Sequence, residues 1–502
     1  MPASCEVEPG FAAAGEPPGE LCVALAGNGD LASSAEPRAI KNQQCWFPQV
    51  FLASAVFCGG RLTKFLANSP LLPPQCHGAK FLTAANESRV RRSFAPALAL
   101  LAICVLINYV DRGNLSIAAP VLSQELGISP KELGILLGAF FWSYTAMQFV
   151  SGWLVDRFEV VYVIAAGYFL WTFSTAVTGL VHGFVMLLGM RLLLGIGESV
   201  AFPSCSKILA NNLPEQERGF ANGLLMAGIR LGPALGMFVA GPAIAKYGWR
   251  PVFIAIGLVG LLWLPAWFYW MPERKHVASV RYSGPDTLAI LGQRSFWGAA
   301  VGHISVNYLF YFMLTWLPYY LVQARGLSMH DMVLPAGIYY LTDAASAGLA
   351  GWVSDLWMRR GGSATLVRKA IMGGGNLIAL VATAGCALAG SHTYFAWLLA
   401  AGVGCGMMGV GVFAYSQTLA GPLAAGKWTG LQNGIGNFAG LVGPVLTGFV
   451  VYQTGSFLAA FAITVVILMI GFVSWVFVVG PLQEVNWGPR ARPATALDAQ
   501  AS

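Results

Sequence analysis

The chain has 502 residues, of which 56% are hydrophobic and 10% charged, against roughly a quarter charged in a soluble domain. That composition excludes an ordinary soluble fold. The net charge of +7 does not point to nucleic acid, because the basic residues are scattered between apolar stretches rather than gathered into a stripe.

Residues 1–92 read as an N-terminal extension. They are rich in Pro, Gly, Ala and Ser, hold five of the nine Cys, and carry no trusted helical periodicity. Phe47 to Cys58 is apolar but too short to span a bilayer. No Met occurs between Met1 and Met147, and Val90 stands just before Arg91-Arg92-Ser93-Phe94. The region is therefore either a disordered extension or an over-extended start.

Twelve apolar stretches come next, at about 94–121, 131–154, 160–180, 183–208, 219–245, 250–271, 296–323, 332–356, 367–390, 393–421, 429–453 and 456–480. Each can cross a bilayer, and in lipid every backbone amide must be satisfied within its own segment, so all twelve are expected to be helices. If both ends are cytoplasmic, seventeen Lys and Arg from Arg89 onward lie on that side and four (Lys131, Lys246, Arg250, Arg325) on the other. Such a bias supports both termini inside and an even number of spans in the cell's inner, or plasma, membrane. The four Cys inside the spans (Cys104, Cys205, Cys386, Cys405) read as packing residues, with no metal site or disulfide framework.

Two internal matches divide the spans into halves. Gly152-Trp-Leu-Val-Asp156 recurs as Gly351-Trp-Val-Ser-Asp355, and Gly219, Asn222, Gly223, Gly232 and Pro233 align without a gap on Gly430, Asn433, Gly434, Gly443 and Pro444. Both matches join spans six apart, the mark of a duplicated six-helix unit. The expected organisation is an all-α membrane protein with two six-helix bundles at 93–271 and 296–481, related by a pseudo-two-fold axis. A cytoplasmic linker at 272–295 joins them, and a cytoplasmic tail occupies 482–502.

A charge inside the hydrocarbon costs about 3 kcal/mol or more unless it is paired or lines a cavity. The first half offers Asp111, Arg112, Arg191, Glu198 and Arg230; the second offers Asp343. Arg191 and Glu198 are seven residues apart and so share one helix face. Burial disfavours a charged carboxylate and a guanidinium favours it, so a Glu between movable arginines can switch charge near neutral pH. The planar fork of Arg matches a carboxylate with two hydrogen bonds, which suits an anionic substrate. The alternative is that these are structural ion pairs. Tyr109, Tyr144 and Gln148, with Asn307, Tyr308, Tyr311, Tyr415, Ser416, Gln432, Asn433 and Asn437, can hydrogen-bond hydroxyls or stack on a sugar face. Among them Tyr109, Tyr144 and Asn433 are favoured. His303 reads as a solvated or capped residue near a helix start.

Asn108-Tyr-Val-Asp-Arg-Gly-Asn-Leu-Ser-Ile-Ala-Ala-Pro120, Arg191-Leu-Leu-Leu-Gly-Ile-Gly-Glu198, Arg218-Gly-Phe-Ala-Asn222 and Gly430-Leu-Gln-Asn-Gly-Ile-Gly-Asn437 together resemble the anion:cation symporter branch of the major facilitator superfamily. Within it the chain is most similar to bacterial carriers of glucarate, galactonate and hexuronates. The resemblance covers residues 93–480. It implies that Asp111 and Glu198 are coupled protonation sites and that Arg112, with Tyr109 and Tyr144, contacts the substrate, while Arg191 modulates Glu198 or holds the substrate. It also implies a cytoplasmic gate motif of Gly152, Asp156 and Arg157 with Gly351, Asp355, Arg359 and Arg360. The first copy continues Phe158-Glu159-Val160-Val161 where the branch has Gly and basic residues, so the first-half latch is expected to be weaker.

The resulting expectation is a monomeric, proton-coupled importer of small organic anions, with sugar acids favoured and no cofactor. Two protons per monovalent anion would make transport electrogenic, at about 2.3 kcal/mol per charge per 100 mV. Carriers of phthalate or tartrate belong to the same branch and remain an alternative. A drug or metabolite exporter predicts carboxylates without Arg partners, and a membrane enzyme needs a nucleophile, metal cluster or phosphate loop that the sequence lacks.

Overall fold

The computed structural model describes residues 79–213, 215–271, 285–390 and 392–487. The chain divides into two units, Met1–Phe81 and Leu82–Ser502, and the apolar spans all belong to the second. The expectations for residues 1–78, for 272–284 of the linker and for 488–502 of the tail lie outside the described residues.

The described residues contain helices and no strand. The first six rods are α1 (Ala79–Leu126), α2 (Pro130–Arg157), α3 (Val160–Thr178), the broken pair α4 (Phe184–Glu198) and α5 (Ala201–Asn212), α6 (Glu215–Tyr247), and the pair α7 (Trp249–Gly260) and α8 (Trp263–Trp270). A short α9 (Thr287–Leu291) precedes the second set: α10 (Arg294–Gln323), α11 (Val333–Arg359), α12 (Ala364–Leu388), α13 (Tyr394–Val410), α14 (Val412–Gly436), α15 (Phe438–Thr454) and α16 (Leu458–Val473). Gly421, at φ 64° and ψ 177°, breaks α14 into the end of one rod and the start of the next. The rods thus number twelve among the described residues, at the expected places. One boundary differs: α1 is already helical from Ala79, ahead of the start expected at 94.

Nine of the described rods are long and apolar enough to cross a membrane by length and composition. The other three, α2, α10 and α11, are 28, 30 and 27 residues long, about 40 Å each. Their lower hydropathy has a physical reason in α10, which is buried along almost its whole length and so meets protein rather than lipid.

The duplication is visible in the packing. A Cβ at Gly232 of α6 would lie 2.5 Å from Tyr109 Cβ on α1, and one at the matching Gly443 of α15 would lie 3.3 Å from the Tyr308 ring on α10. In both halves a glycine lets the fifth rod approach the first.

Here the face that carries the start of span one and the end of span twelve is termed the terminal face, and the opposite one the far face. On the far-face side the two bundles are sealed together. At Gly134 of α2 a Cβ would lie 2.7 Å from Pro444 O and 3.0 Å from Gly448 Cα of α15, and Trp142 Nε1 donates to Leu441 O at 3.3 Å. Gly337 of α11 packs on the Phe238 ring of α6, and Ser116 Oγ of α1 donates to Leu314 O of α10 at 2.6 Å. The terminal-face halves differ. Gly152, Gly223, Gly348, Gly430 and Gly434 each have open space where a Cβ would point.

At the far face α2 begins with a capping box: Ser129 Oγ accepts from the Glu132 amide at 3.3 Å, and the Glu132 carboxylate accepts from the Ser129 amide at 2.9 Å. Beyond α16 the chain returns to the second bundle. The Leu482 amide donates to Thr365 Oγ1 at 2.9 Å, the Val485 amide to Leu419 O at 2.9 Å, and Trp487 Nε1 to Ala420 O at 2.8 Å.

Candidate anion and proton site between the bundles

Glycines place the chemistry. A Cβ at Gly195 of α4 would strike Phe140 O and Ser143 Oγ of α2, and one at Gly197 would lie 2.8 Å from Gly167 O and Trp171 N of α3. These two positions let α4 lie directly against both neighbours. The helix then stops at Glu198, its last residue. Just past the break Ser199 Oγ and Ser151 Oγ share a hydrogen bond of 2.7 Å, which ties the junction to α2.

Glu198 is fully buried, and its Oε2 accepts from Arg112 Nε at 2.7 Å. The pair links α1 to α4. The Arg112 guanidinium carbon lies 4.6, 4.9 and 4.6 Å from the ring centroids of Tyr109, Phe140 and Tyr144. This aromatic cage holds a cation without neutralising it. Arg191 lies on the same Phe140 ring, at 5.5 Å, and interacts through the electric field with Glu198 and Asp111. Asp111 is buried, and its Oδ1 accepts from Asn114 Nδ2 at 3.1 Å. Arg112, Tyr109, Tyr144, Arg191, Glu198 and Asp111 therefore form one neighbourhood.

Arg112 Nη2, Glu198 Oε1, Asp111 Oδ2 and Arg191 Nε are all buried without a hydrogen-bond partner among the described residues. A buried polar atom left unpaired costs about 1–3 kcal/mol. A purely structural ion-pair network would be expected to close those bonds, so the open atoms favour groups that meet a carboxylate or a proton in turn.

The second bundle contributes polar and aromatic atoms. Tyr311 of α10 donates from its hydroxyl to Asn437 Oδ1 at 2.9 Å, and its ring lies 4.5 Å from Phe141 of α2. Asn437 sits at the junction of α14 and α15. Asn433, favoured from sequence, is half-buried one turn away and offers its backbone carbonyl to Asn437 Nδ2 at 2.9 Å. Gln432 and Ser416 are internal: Gln432 Oε1 accepts from Ser416 Oγ at 2.7 Å and Trp428 Nε1 at 3.1 Å. His303 corrects the sequence reading. It is 4% exposed and well inside α10, with Gly436 packed on its ring, so it is neither solvated nor a cap.

Arg230 and Asp343 carry less weight than the other charges in sequence, and the fold joins them. Arg230 Nη1 donates to both Asp343 carboxylate oxygens, at 2.8 and 2.9 Å. Among the ion pairs of the described residues, this one links the first bundle to the second. The sequence holds a signal for it: each bundle has one intramembrane charge with no counter-charge nearby in its own half.

The residues that the resemblance implies as a gate motif show no latch among the described side chains. Arg157, Asp355, Arg359 and Arg360 are exposed and form no ion pair among the described residues. Gly152 faces open space, Gly351 touches only Val410, and the Asp156 side chain lies outside the described residues.

Comparison with known proteins bears on these features. The Major Facilitator Superfamily model matches residues 101–366. The chain belongs to this superfamily. It is accordingly a multi-pass membrane transporter and not an enzyme. It is 28% identical over 423 residues to a probable galactarate/D-glucarate transporter of Bacillus subtilis, covering 77% of this chain and 92% of the relative. It is 29% identical over 433 residues to a D-galactonate transporter of Escherichia coli, covering 80% and 99%. The fold matches a bacterial homologue of the human lysosomal transporter Spinster, described as inward-facing and unoccupied, at a TM-score of 0.64 and 20% identity, over 77% of this chain and 97% of that one.

Proposed function

We propose that this superfamily member is a monomeric, proton-coupled importer of sugar acids, residing in the inner membrane with both termini in the cytoplasm. Its moving parts are the bundles at 93–271 and 296–481, joined by the linker at 272–295. The observation that carries the reading is the 2.7 Å pair between Arg112 and Glu198, buried inside an aromatic cage between the bundles. Sugar acids are favoured because relatives named for galactarate, glucarate and galactonate match along nearly their whole length.

Glu198 and the substrate carboxylate compete for one guanidinium. When Glu198 takes a proton it releases Arg112, which then binds the anion with the donors that the protein leaves unpaired, Nη2 among them. Asp111 protonates in the same way and frees Arg191. Tyr311 and Asn437 offer hydroxyl partners from the opposite bundle. The sealed far-face halves, with open space beside Gly152, Gly223, Gly348, Gly430 and Gly434 at the terminal face, support a conformation that faces the cytoplasm, and the exposed gate residues pair in the opposite state. Carboxylates partnered by Arg in this way count against a drug exporter.

The test is uptake of labelled galactonate, glucarate, glucuronate, phthalate and tartrate into proteoliposomes, with and without an inward proton gradient, for wild type and Glu198→Gln. Gradient-driven accumulation of a sugar acid, lost in the variant while exchange persists, is the expected result. No accumulation of any anion would refute import.

A further inference from the structure

Six charged side chains lie deep in the spans among the described residues: Arg112, Arg191 and Arg230, with Asp111, Glu198 and Asp343. Arg230 differs from the other two arginines. Its side chain is 19% exposed while that of its partner Asp343 is 2% exposed, and that of Arg112 is also 2%. Its guanidinium lies between the bundles, since Arg230 reaches from α6 to Asp343 on α11 and its guanidinium carbon lies 5.3 Å from the Phe310 ring of α10. Asp343 uses only Nη1, and Nη2 rests on Gly409 of α13, where no side chain stands in the way. The guanidinium is thus held by Asp343 through one nitrogen, and part of the side chain stays exposed.

This second guanidinium adjoins the first. Phe310 packs against Tyr109 with ring centroids 6.4 Å apart, and Arg112 lies 4.6 Å above that same Tyr109 ring. Arg112 and Arg230 therefore flank one two-ring partition. Buried charge must nearly balance in a low-dielectric site. Three arginines against three carboxylates give zero before substrate binds. Protonating Asp111 and Glu198, on which this inference rests through the proposed function, leaves three positive charges and one negative. The remaining +2 is balanced by a dianion and left in excess by a monoanion.

We infer that the substrate is a dicarboxylate sugar acid, with one carboxylate on Arg112 and the other on Arg230, which Asp343 holds in position. Import of the dianion with two protons then moves no net charge.

The experiment measures labelled glucarate, a six-carbon diacid, against galactonate, a six-carbon monoacid, in proteoliposomes. Wild type and Arg230→Gln/Asp343→Asn are compared; the double substitution leaves no orphaned carboxylate. Wild type is expected to favour glucarate in kcat/KM, and the glucarate-to-galactonate ratio to fall about tenfold or more in the variant, as for loss of a buried charged contact. Glucarate uptake by wild type is expected to be the same at zero and negative-inside voltage. An unchanged ratio, a wild-type preference for the monoacid, or strong voltage acceleration of glucarate uptake would each overturn the dicarboxylate assignment while leaving proton-coupled import standing. If neither acid accumulates, the proposed function fails with it.

Discussion

The two bundles share a scaffold and differ in chemistry. Gly232 and Gly443 perform the same packing task against Tyr109 and Tyr308, yet the first bundle holds five of the six deep charges and the second only Asp343. Duplication preserved the small residues that let rods approach, because backbone proximity is costly to rebuild. Charge was free to concentrate on one side. Under the proposed function, proton handling belongs to the first bundle, and the second supplies shape, hydroxyl partners and one anchoring carboxylate.

Substitution can break that division of labour. The largest effect is expected from Glu198→Gln, which should abolish gradient-driven accumulation and spare exchange of substrate across the membrane; counterflow assays separate the two. Arg112→Ala should lower kcat/KM by about thirtyfold or more, since it leaves Glu198 buried without its cation. On the second bundle Asn437→Ala and Tyr311→Phe should each cost about 1 kcal/mol, a severalfold rise in KM with proton coupling intact. If Asn437→Ala erased coupling as fully as Glu198→Gln, the contrast between bundles would be wrong.

The seam offers a sharper version. Gly134→Leu would drive a side chain into Pro444 and Gly448, so it should weaken the far-face seal and raise thiol labelling of a cysteine placed at Ser116. Increased labelling without loss of expression is the expected outcome. The smallest effect is expected at the α2 cap, where Ser129→Ala should cost about 1 kcal/mol, read as a lower midpoint in thermal unfolding.

Much of this is legible in the sequence because the bilayer restricts the options. A run such as Leu458–Val473 must be a helix, and the Gly and Pro matches at constant spacing reveal the duplication. Asp111, Arg112, Arg191 and Glu198 stand out because charge in such runs is expensive. The illegible part depends on three-dimensional approach. The sequence leaves Arg230 and Asp343 each without a counter-charge in its own half, but their direct contact across 113 positions appears only in the fold. The stacking of Phe140 beneath Tyr144, at 5.4 Å between centroids, is indistinguishable in sequence from ordinary core packing. His303 escapes a correct reading because its depth in α10 depends on where that helix begins, and Arg294 carries no cap signal to place it.

The returning segment at Leu482–Trp487 has a practical consequence. Its hydrogen bonds go to Thr365, Leu419 and Ala420, all on the second bundle, so a label attached at the exposed Gln483 within this segment travels with that bundle. Lys207 donates to the Val155 carbonyl and fixes α5 to α2 in the first bundle, so a label beside it travels with the other. The separation between two such fluorophores is a ruler for the transport cycle, readable in single molecules without touching the site where substrate binds.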